Sequence, residues 1–309
     1  MKHLNFLVVG GSGFVGRHLV AALAARGARV VVPTRRRERA KQLILLPTVD
    51  VVEADPLDAD TLAGLAAGRD AVVNLAGILH GPDFKPTHVE LAQSVVNACR
   101  RGGVRRLLHM SALGAAPEAP SEYLRSKAIG EQAVLAADDL EATVFRPSVI
   151  FGPEDRFLNL FSALSAWLPV IALGSPEARF QPVYVGDVVQ AMLAAVDDRE
   201  AARKRYDLCG PHECTLRELM EFVCAVTGRR RLIIGLPEAL AYLQAWMLEK
   251  LPGPLLTRDN LRSMQVPSVC DCAFPFGIRP VSLEAAAPAW LAHSGPRERY
   301  PQLRWRARR

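Results

Sequence analysis

Strand-like and helix-like segments alternate without a break over the first 150 residues, and this rhythm constrains the fold more than any other feature of the chain. Short apolar runs at residues 4–9, 29–32, 50–53, 70–75, 105–110 and 142–146 have the length and continuity of strands buried on both faces. Between them, apolar residues recur at helical spacing over 14–26, 36–45, 58–67, 87–101 and 121–136. Asp58 and Ser121 stand where N-caps are expected, and Pro147 stops the sixth strand. Right-handed crossovers then demand a doubly wound parallel α/β sheet of Rossmann type, helices on both faces.

The first strand runs into Val8-Val9-Gly10-Gly11-Ser12-Gly13-Phe14-Val15-Gly16. Gly10 permits a sharp strand-to-helix turn, Gly13 lets backbone approach a diphosphate, and Gly16 lets the helix close on the strand. The helix start adds free N–H groups and a positive dipole end. Its place after a first strand and at the head of a helix is the context that separates a dinucleotide site from an ordinary glycine turn. All seven residues from Gly10 to Gly16 are therefore cofactor-binding candidates.

The second strand ends Val32-Pro33-Thr34-Arg35-Arg36-Arg37, with no acid before Glu38. A carboxylate there would hold the ribose hydroxyls of NAD, whereas arginine pairs with a 2′-phosphate. NADP(H) is the expected cofactor and NAD(H) the alternative, with Thr34, Arg35 and Arg36 as the contacts; a solvated helix start is the other reading of the arginines. Tyr123 and Lys127 form a Y-x-x-x-K and share a helical face, and Ser111 ends the fifth strand. A phenol titrates near ~10, and an adjacent ammonium lowers that value, so Tyr123 could exchange a proton with a carbonyl or alcohol oxygen held by Ser111.

Composition excludes other classes. Half of the 309 residues are hydrophobic, yet no apolar run reaches a membrane-spanning length, and the N-terminus lacks a signal-peptide pattern, so a soluble, cytoplasmic protein is expected. The six cysteines, Cys99, Cys209, Cys214, Cys224, Cys270 and Cys272, include no C-x-x-C and are expected as reduced thiols, with no metal site. Net charge is +6, but six arginines and one glutamate between Pro296 and Arg309 supply +5 of it. The body is nearly neutral, and no nucleic-acid partner is expected.

The G-x-x-G-x-x-G spacing, Y-x-x-x-K and upstream serine together resemble the extended and atypical short-chain dehydrogenases/reductases, the NAD-dependent epimerase/dehydratase-like proteins. The segments Ser111–Ala115, Ser121–Ala128, Arg146–Asn159 (R-P-S-V-I-F-G-P-E-D-R-F-L-N) and Gln181–Val188 are similar to the branch containing the NADPH-binding accessory subunit of respiratory complex I and its bacterial relatives. The likeness runs from about Leu4 to Val269. It implies that Asp55 accepts the adenine amino group, that Asn74-Leu75-Ala76-Gly77 packs against the adenosine, that Tyr123 and Lys127 also contact cofactor (Lys127 at the nicotinamide ribose), and that Pro147, Ser148 and Val149 approach the nicotinamide. Two functions stay open: hydride transfer on a small carbonyl or alcohol through Ser111, Tyr123 and Lys127, or a non-catalytic NADPH-holding accessory or assembly role linked to complex I or quinone metabolism. Respiratory or quinone-linked partners and contact with the inner face of a membrane follow from the second.

Residues 1–150 are expected as the nucleotide domain, to which later segments could return, 151–291 as a smaller substrate or partner lobe, and 292–309 as a basic tail. The lobe is expected to hold helices at 187–196, 216–227 and 237–251. Asp155 and Arg156 could meet a substrate or pair with each other. Leu240, Leu243, Met247 and Leu251 could be core or a surface for lipid, quinone or protein. His80 has no assigned role. Substrate and oligomeric state are not legible.

Overall fold

The computed structural model describes residues 4–79, 81 and 83–292, so His80 and the arginine-rich tail lie outside it. Two compact units emerge. The first comprises residues 1–147, Val185–Leu208 and Asp271–Ile278; the second comprises Ser148–Tyr184, Cys209–Cys270 and the segment from Arg279 onward.

The first unit is built on strands β1 (Asn5–Val9), β2 (Arg29–Thr34), β3 (Val49–Glu53), β4 (Ala71–Asn74), β5 (Arg106–Met110) and β6 (Glu141–Pro147), joined by helices α1 (Phe14–Ala25), α2 (Ala59–Ala66), α3 (Leu91–Gly102) and α4 (Glu122–Leu135). A seventh strand, Arg205–Leu208, returns beside β6, giving the order Arg205–Leu208, β6, β5, β4, β1, β2, β3. Every neighbouring pair is parallel. The doubly wound sheet expected from the alternation is present. The order reverses on either side of β1, which opens a crevice at the carboxyl ends of β1 and β4. Leu7, Val72 and Leu107 of the central strands are sealed beneath Leu62 of α2 and Val95 and Cys99 of α3.

Local chemistry sets the ends of the helices. Asp58 accepts from the N–H groups of Asp60 and Thr61, and Ser121 accepts from Leu124. Gly103 closes α3 in the left-handed conformation at φ 70°. The helix expected over 36–45 shrinks to one 3-10 turn, Arg37–Ala40. Arginines crowd this segment at Arg35, Arg36, Arg37 and Arg39, and like charges three and four apart oppose a helix; only Ala40 and Leu43 are drawn into the core. The segment before α3 is wound as a π-helical turn, Pro86–Glu90. Its His88 carbonyl abuts Gly130 of α4, where any Cβ would overlap it.

The second unit holds helices Leu158–Trp167, Leu216–Val226 and Glu238–Leu248, with a parallel ribbon of Val170–Leu173 and Leu232–Gly235. The helix expected at 187–196 is Val185–Asp197 and belongs to the first unit. Phe151, Leu158, Leu173, Leu219 and Val223 centre the second unit's core. Among the described residues Asp155 pairs with no arginine: its carboxylate accepts from the backbone N–H of Gly152, Phe157 and Asn159 and caps its own loop. The expectation of six reduced cysteines is overturned, because Cys209 and Cys270 form a disulfide across 61 residues of sequence. The Gln181 amide donates to the Gly210 carbonyl and accepts from Cys270 N–H, so one side chain aligns both cysteine segments. Cys99, Cys214, Cys224 and Cys272 remain thiols.

Glu131 of α4, only 1% exposed, receives Arg146 of β6 at 2.5 Å and Arg205 of the seventh strand at 2.8 Å. A buried carboxylate shared by two guanidinium groups leaves both uncompensated when removed. Glu131→Ala is expected to lower the unfolding free energy by about 3–5 kcal/mol, read by urea denaturation, with Glu131→Gln losing less.

Candidate functional site

The glycine turn is sterically committed. A Cβ on Gly10 (φ 79°) would lie 2.8 Å from Ala76 N, and one on Gly16 would overlap the Gly10 carbonyl. The α1 N-terminus has Gly13 as its N-cap, no side-chain cap and no acid in its first turn. Gly11, Ser12, Phe14 and Val15 complete a terminus whose backbone N–H groups face no competing carboxylate of their own helix. These are the properties that a diphosphate requires of a helix start, and the residues present fit a dinucleotide.

The Ala76 carbonyl and the Met110 carbonyl accept from Lys127 Nζ at 3.4 and 3.2 Å. A Cβ on Gly77 would come within 3.0 Å of the same ammonium. The structure thus brings the turn after β4, the end of β5 and α4 onto one buried cation, next to the glycine turn. Ser111, directly after Met110, is 3% exposed and its Oγ has no hydrogen-bond partner among the described residues. Tyr123 lies one turn before Lys127 on α4. Asn74, 1% exposed, shapes the adjacent turn: its Oδ1 accepts from Ala76 N–H and its amide nitrogen lies 3.2 Å from His109 Nδ1. Leu75 is partly buried beside it.

The other expected contacts are placed less tightly. Thr34 is buried, and its hydroxyl donates to the Arg36 carbonyl, closing the turn after β2. Arg35 and Arg36 are exposed there. Asp55 is exposed and accepts from Leu57 N–H. Pro147 ends β6 in the first unit, whereas Ser148 and Val149 belong to the second. There the Ser148 hydroxyl donates to the Ser268 carbonyl at 2.7 Å.

Sequence reasoning missed His88. Its ring stacks on Phe84 (5.5 Å between centroids) and meets the edge of Tyr123 (5.6 Å). Nε2 accepts from Ile78 N–H, so Nδ1 carries the proton toward Ser126 Oγ at 2.8 Å, and that hydroxyl donates to the Tyr123 carbonyl. Ser126 sits three residues after Tyr123, on the face of the Y-x-x-x-K; that spacing was the available signal. His88 itself lies 38 residues upstream of Ser126, and nothing in the sequence pairs them.

Burial governs the titration of this cluster. It pushes Tyr123 up to about 12 and Lys127 down to about 8. The expected lowering of the tyrosine by Lys127 is not found: the ammonium is turned to backbone carbonyls, and desolvation of a phenolate dominates. His88 and His109 fall to about 3, first by burial and then by repulsion from Lys127. Both therefore stay neutral at physiological pH. Their folded values lie below the ordinary 6.5, so the unfolded chain binds more protons between about 3 and 6.5. Stability falls as pH drops through that window, by about 1.4 kcal/mol per pH unit for each titrating histidine. Lys127 contributes the same sign at higher pH, its charging penalty relieved as pH rises from about 8 toward 10.5. Urea midpoints at pH 7, 6 and 5 are expected to decline steadily, and His109→Asn to flatten that decline.

Among the described residues, no group of three or more His, Cys, Asp or Glu could hold a metal ion, and no helix is long and apolar enough to cross a membrane. The sheet order and the glycine turn define an NAD(P)-binding Rossmann protein of the extended short-chain dehydrogenase/reductase type. The chain belongs to the NAD dependent epimerase/dehydratase family, whose model matches residues 6–209.

Its relatives include the NADH dehydrogenase [ubiquinone] 1 alpha subcomplex subunit 9, mitochondrial, of Arabidopsis thaliana, 36% identical over 264 residues, 80% of this chain and 65% of that one. The Mus musculus protein of the same name is 31% identical over 90% of this chain and 77% of its own. A ceramide reductase of Caulobacter vibrioides is 32% identical over 77% of each chain. The chain thus spans just under two thirds of the plant relative. The fold is also similar to that of the dTDP-glucose 4,6-dehydratase DesIV from Streptomyces venezuelae, solved with NAD bound, at TM-score 0.74 and 21% identity over 93% of this chain and 96% of that one.

Proposed function

We propose that this chain is an NADP(H)-preferring oxidoreductase or epimerase/dehydratase that acts on a small carbonyl or alcohol through Ser111, Tyr123 and Lys127. The observation that carries the reading is Ser111 Oγ, buried without a hydrogen-bond partner among the described residues, beside the end of β5 where Lys127 is anchored. An unsatisfied buried hydroxyl is expensive, and a substrate oxygen would satisfy it. When bound, the coenzyme supplies or accepts the hydride.

The chain's own residues do the rest. The turn from Gly10 to Gly16 holds the diphosphate, Asn74 to Gly77 and Asp55 line the adenosine, and Thr34, Arg35 and Arg36 receive the 2′-phosphate. Ser111 donates to the substrate oxygen. Tyr123, a phenol kept protonated by burial, acts as the proton donor in the reductive direction. Lys127 holds positive charge behind the phenol and loses it as pH rises through about 8. Pro147, at the end of β6, is assigned to the nicotinamide side.

Tyr123→Phe is expected to lower kcat by about 10²-fold or more while the coenzyme Kd, measured by isothermal titration, stays unchanged. Converting Arg35 and Arg36 together to Ala should weaken NADPH about 10–100-fold, the worth of one or two charge-assisted hydrogen bonds, and leave NADH nearly untouched. Equal weakening of both coenzymes would remove these arginines from the 2′-phosphate.

The relatives named as subunits of NADH dehydrogenase favour a second reading, in which the coenzyme is held structurally within a respiratory or quinone-linked assembly. The Caulobacter relative, named as a reductase, favours the first. Purified protein that retains NADPH yet fails to oxidise it against a broad panel of carbonyl compounds would support the accessory role.

A further inference from the structure

The helix Glu238–Leu248 is inside out. A helix seated on a core buries its large apolar side chains and shows polar ones to water. Here the inward positions are Ala241 and Ala245, packed with Leu261, while Leu240, Leu243, Trp246 and Met247 face outward, each between 43% and 59% exposed. The helix cannot rotate to hide them, because Gln244 on its inner side donates to the Ala172 carbonyl and Ala241 fills the space over Gly174. The next turn continues the trend with Leu251 and Leu255, both about half exposed.

The ribbon under this helix has the same character. Val170 and Leu232 are paired in register and both exposed, Ile234 is exposed further along, and Trp167, at the end of the preceding helix, is 87% exposed. Apolar surface on this scale is uncommon on a chain that meets only water.

Its charged surroundings identify the occupant. Lys250 lies 3.6 Å over the Trp246 ring. Arg229 and Arg231 donate to Ser162 and Ser165 of the helix that ends in Trp167, and Arg230 between them is exposed. The carboxylates on these elements, Glu238, Glu249 and Asp259, are outnumbered by Arg229, Arg230, Arg231, Lys250, Arg258 and Arg262, and Glu249 is paired with Arg258 at 3.0 Å. The chain adds six arginines and one glutamate after Leu291, whose side chain shares a hydrophobic cluster with Ile171 and Leu173 of the ribbon. Outward leucines, interfacial tryptophans and flanking arginine and lysine are the composition that settles at a headgroup–acyl boundary, and polybasic sequence selects anionic lipid.

We infer that the outward face of Glu238–Leu248, with Trp167, Val170 and Leu232, docks on the surface of an anionic phospholipid bilayer, the arginine-rich tail supplying the electrostatic half of the attraction. This assignment does not depend on the chemistry at Tyr123.

The full-length protein is expected to sediment with vesicles of phosphatidylcholine plus phosphatidylglycerol, much less with phosphatidylcholine alone, and to release in high salt. Brominated acyl chains in the mixed vesicles should quench its tryptophan emission, a measurement that needs no variant. Leu240→Ser, Leu243→Ser and Met247→Ser combined should lower the partition coefficient by roughly tenfold or more, given the apolar area removed, with coenzyme retention reporting that the variant is folded. Absence of vesicle binding would overturn the inference. So would binding that the triple variant leaves intact, which assigns attraction to the tail alone, or wild-type self-association abolished by the variant without vesicle binding, which assigns the face to a second copy.

Discussion

One buried ammonium organises the carboxyl edge of the sheet. Lys127 is 5% exposed, and among the described residues no carboxylate partner accounts for its position: carbonyls of Ala76 and Met110 hold it instead. Those two carbonyls belong to the turn after β4 and the last residue of β5, so the cation fixes the separation of adjacent strand ends at the crevice beside β1. Burying an ammonium against neutral dipoles is costly. The cost explains its lowered pKa, and both nearby histidines are kept neutral first by their own burial and then by repulsion from Lys127. His88 and His109 then serve as uncharged braces. One orients the Ile78 backbone and Ser126, and the other lies against the Asn74 amide that shapes the Ala76 turn.

Close backbone approach is the second constraint, and it acts upstream of the electrostatics. Gly10 against Ala76, Gly16 against the Gly10 carbonyl and Gly130 against the His88 carbonyl let main chain meet main chain where any side chain would intrude. The first two bring α1 onto the strand ends; the third lets α4 close on the π-helical turn, so that Tyr123 can meet the rings of Phe84 and His88.

What the sequence revealed follows from which interactions are local. Glycine spacing, the Asp58 and Ser121 caps and the strand–helix rhythm operate within a few residues, and each has its expected form in the structure. The turn at Arg37–Ala40 departed from a helix because charge crowding outweighed a weak apolar period. The Cys209–Cys270 bridge depends on a Gln181 side chain contributed from 28 residues before the first cysteine, and the His88–Ser126 pair on a glycine contact between separate helices; no local pattern encodes either. The tyrosine's high pKa was likewise invisible, since it depends on how deeply the fold buries the phenol rather than on how many residues separate it from the lysine.

Under the proposed function, coenzyme binding and turnover are governed by different kinds of physics within one site. Binding rests on backbone clearance, an all-or-none steric condition met at Gly10, Gly13 and Gly16. Turnover, on the same proposal, rests on protonation of Tyr123 and Lys127, which desolvation moves in opposite directions and which a modest change in burial can retune. A chain of this architecture can keep the first while the second drifts. That is a physical reason why proteins named as reductases and proteins named as respiratory-complex subunits can both resemble this one across most of its length.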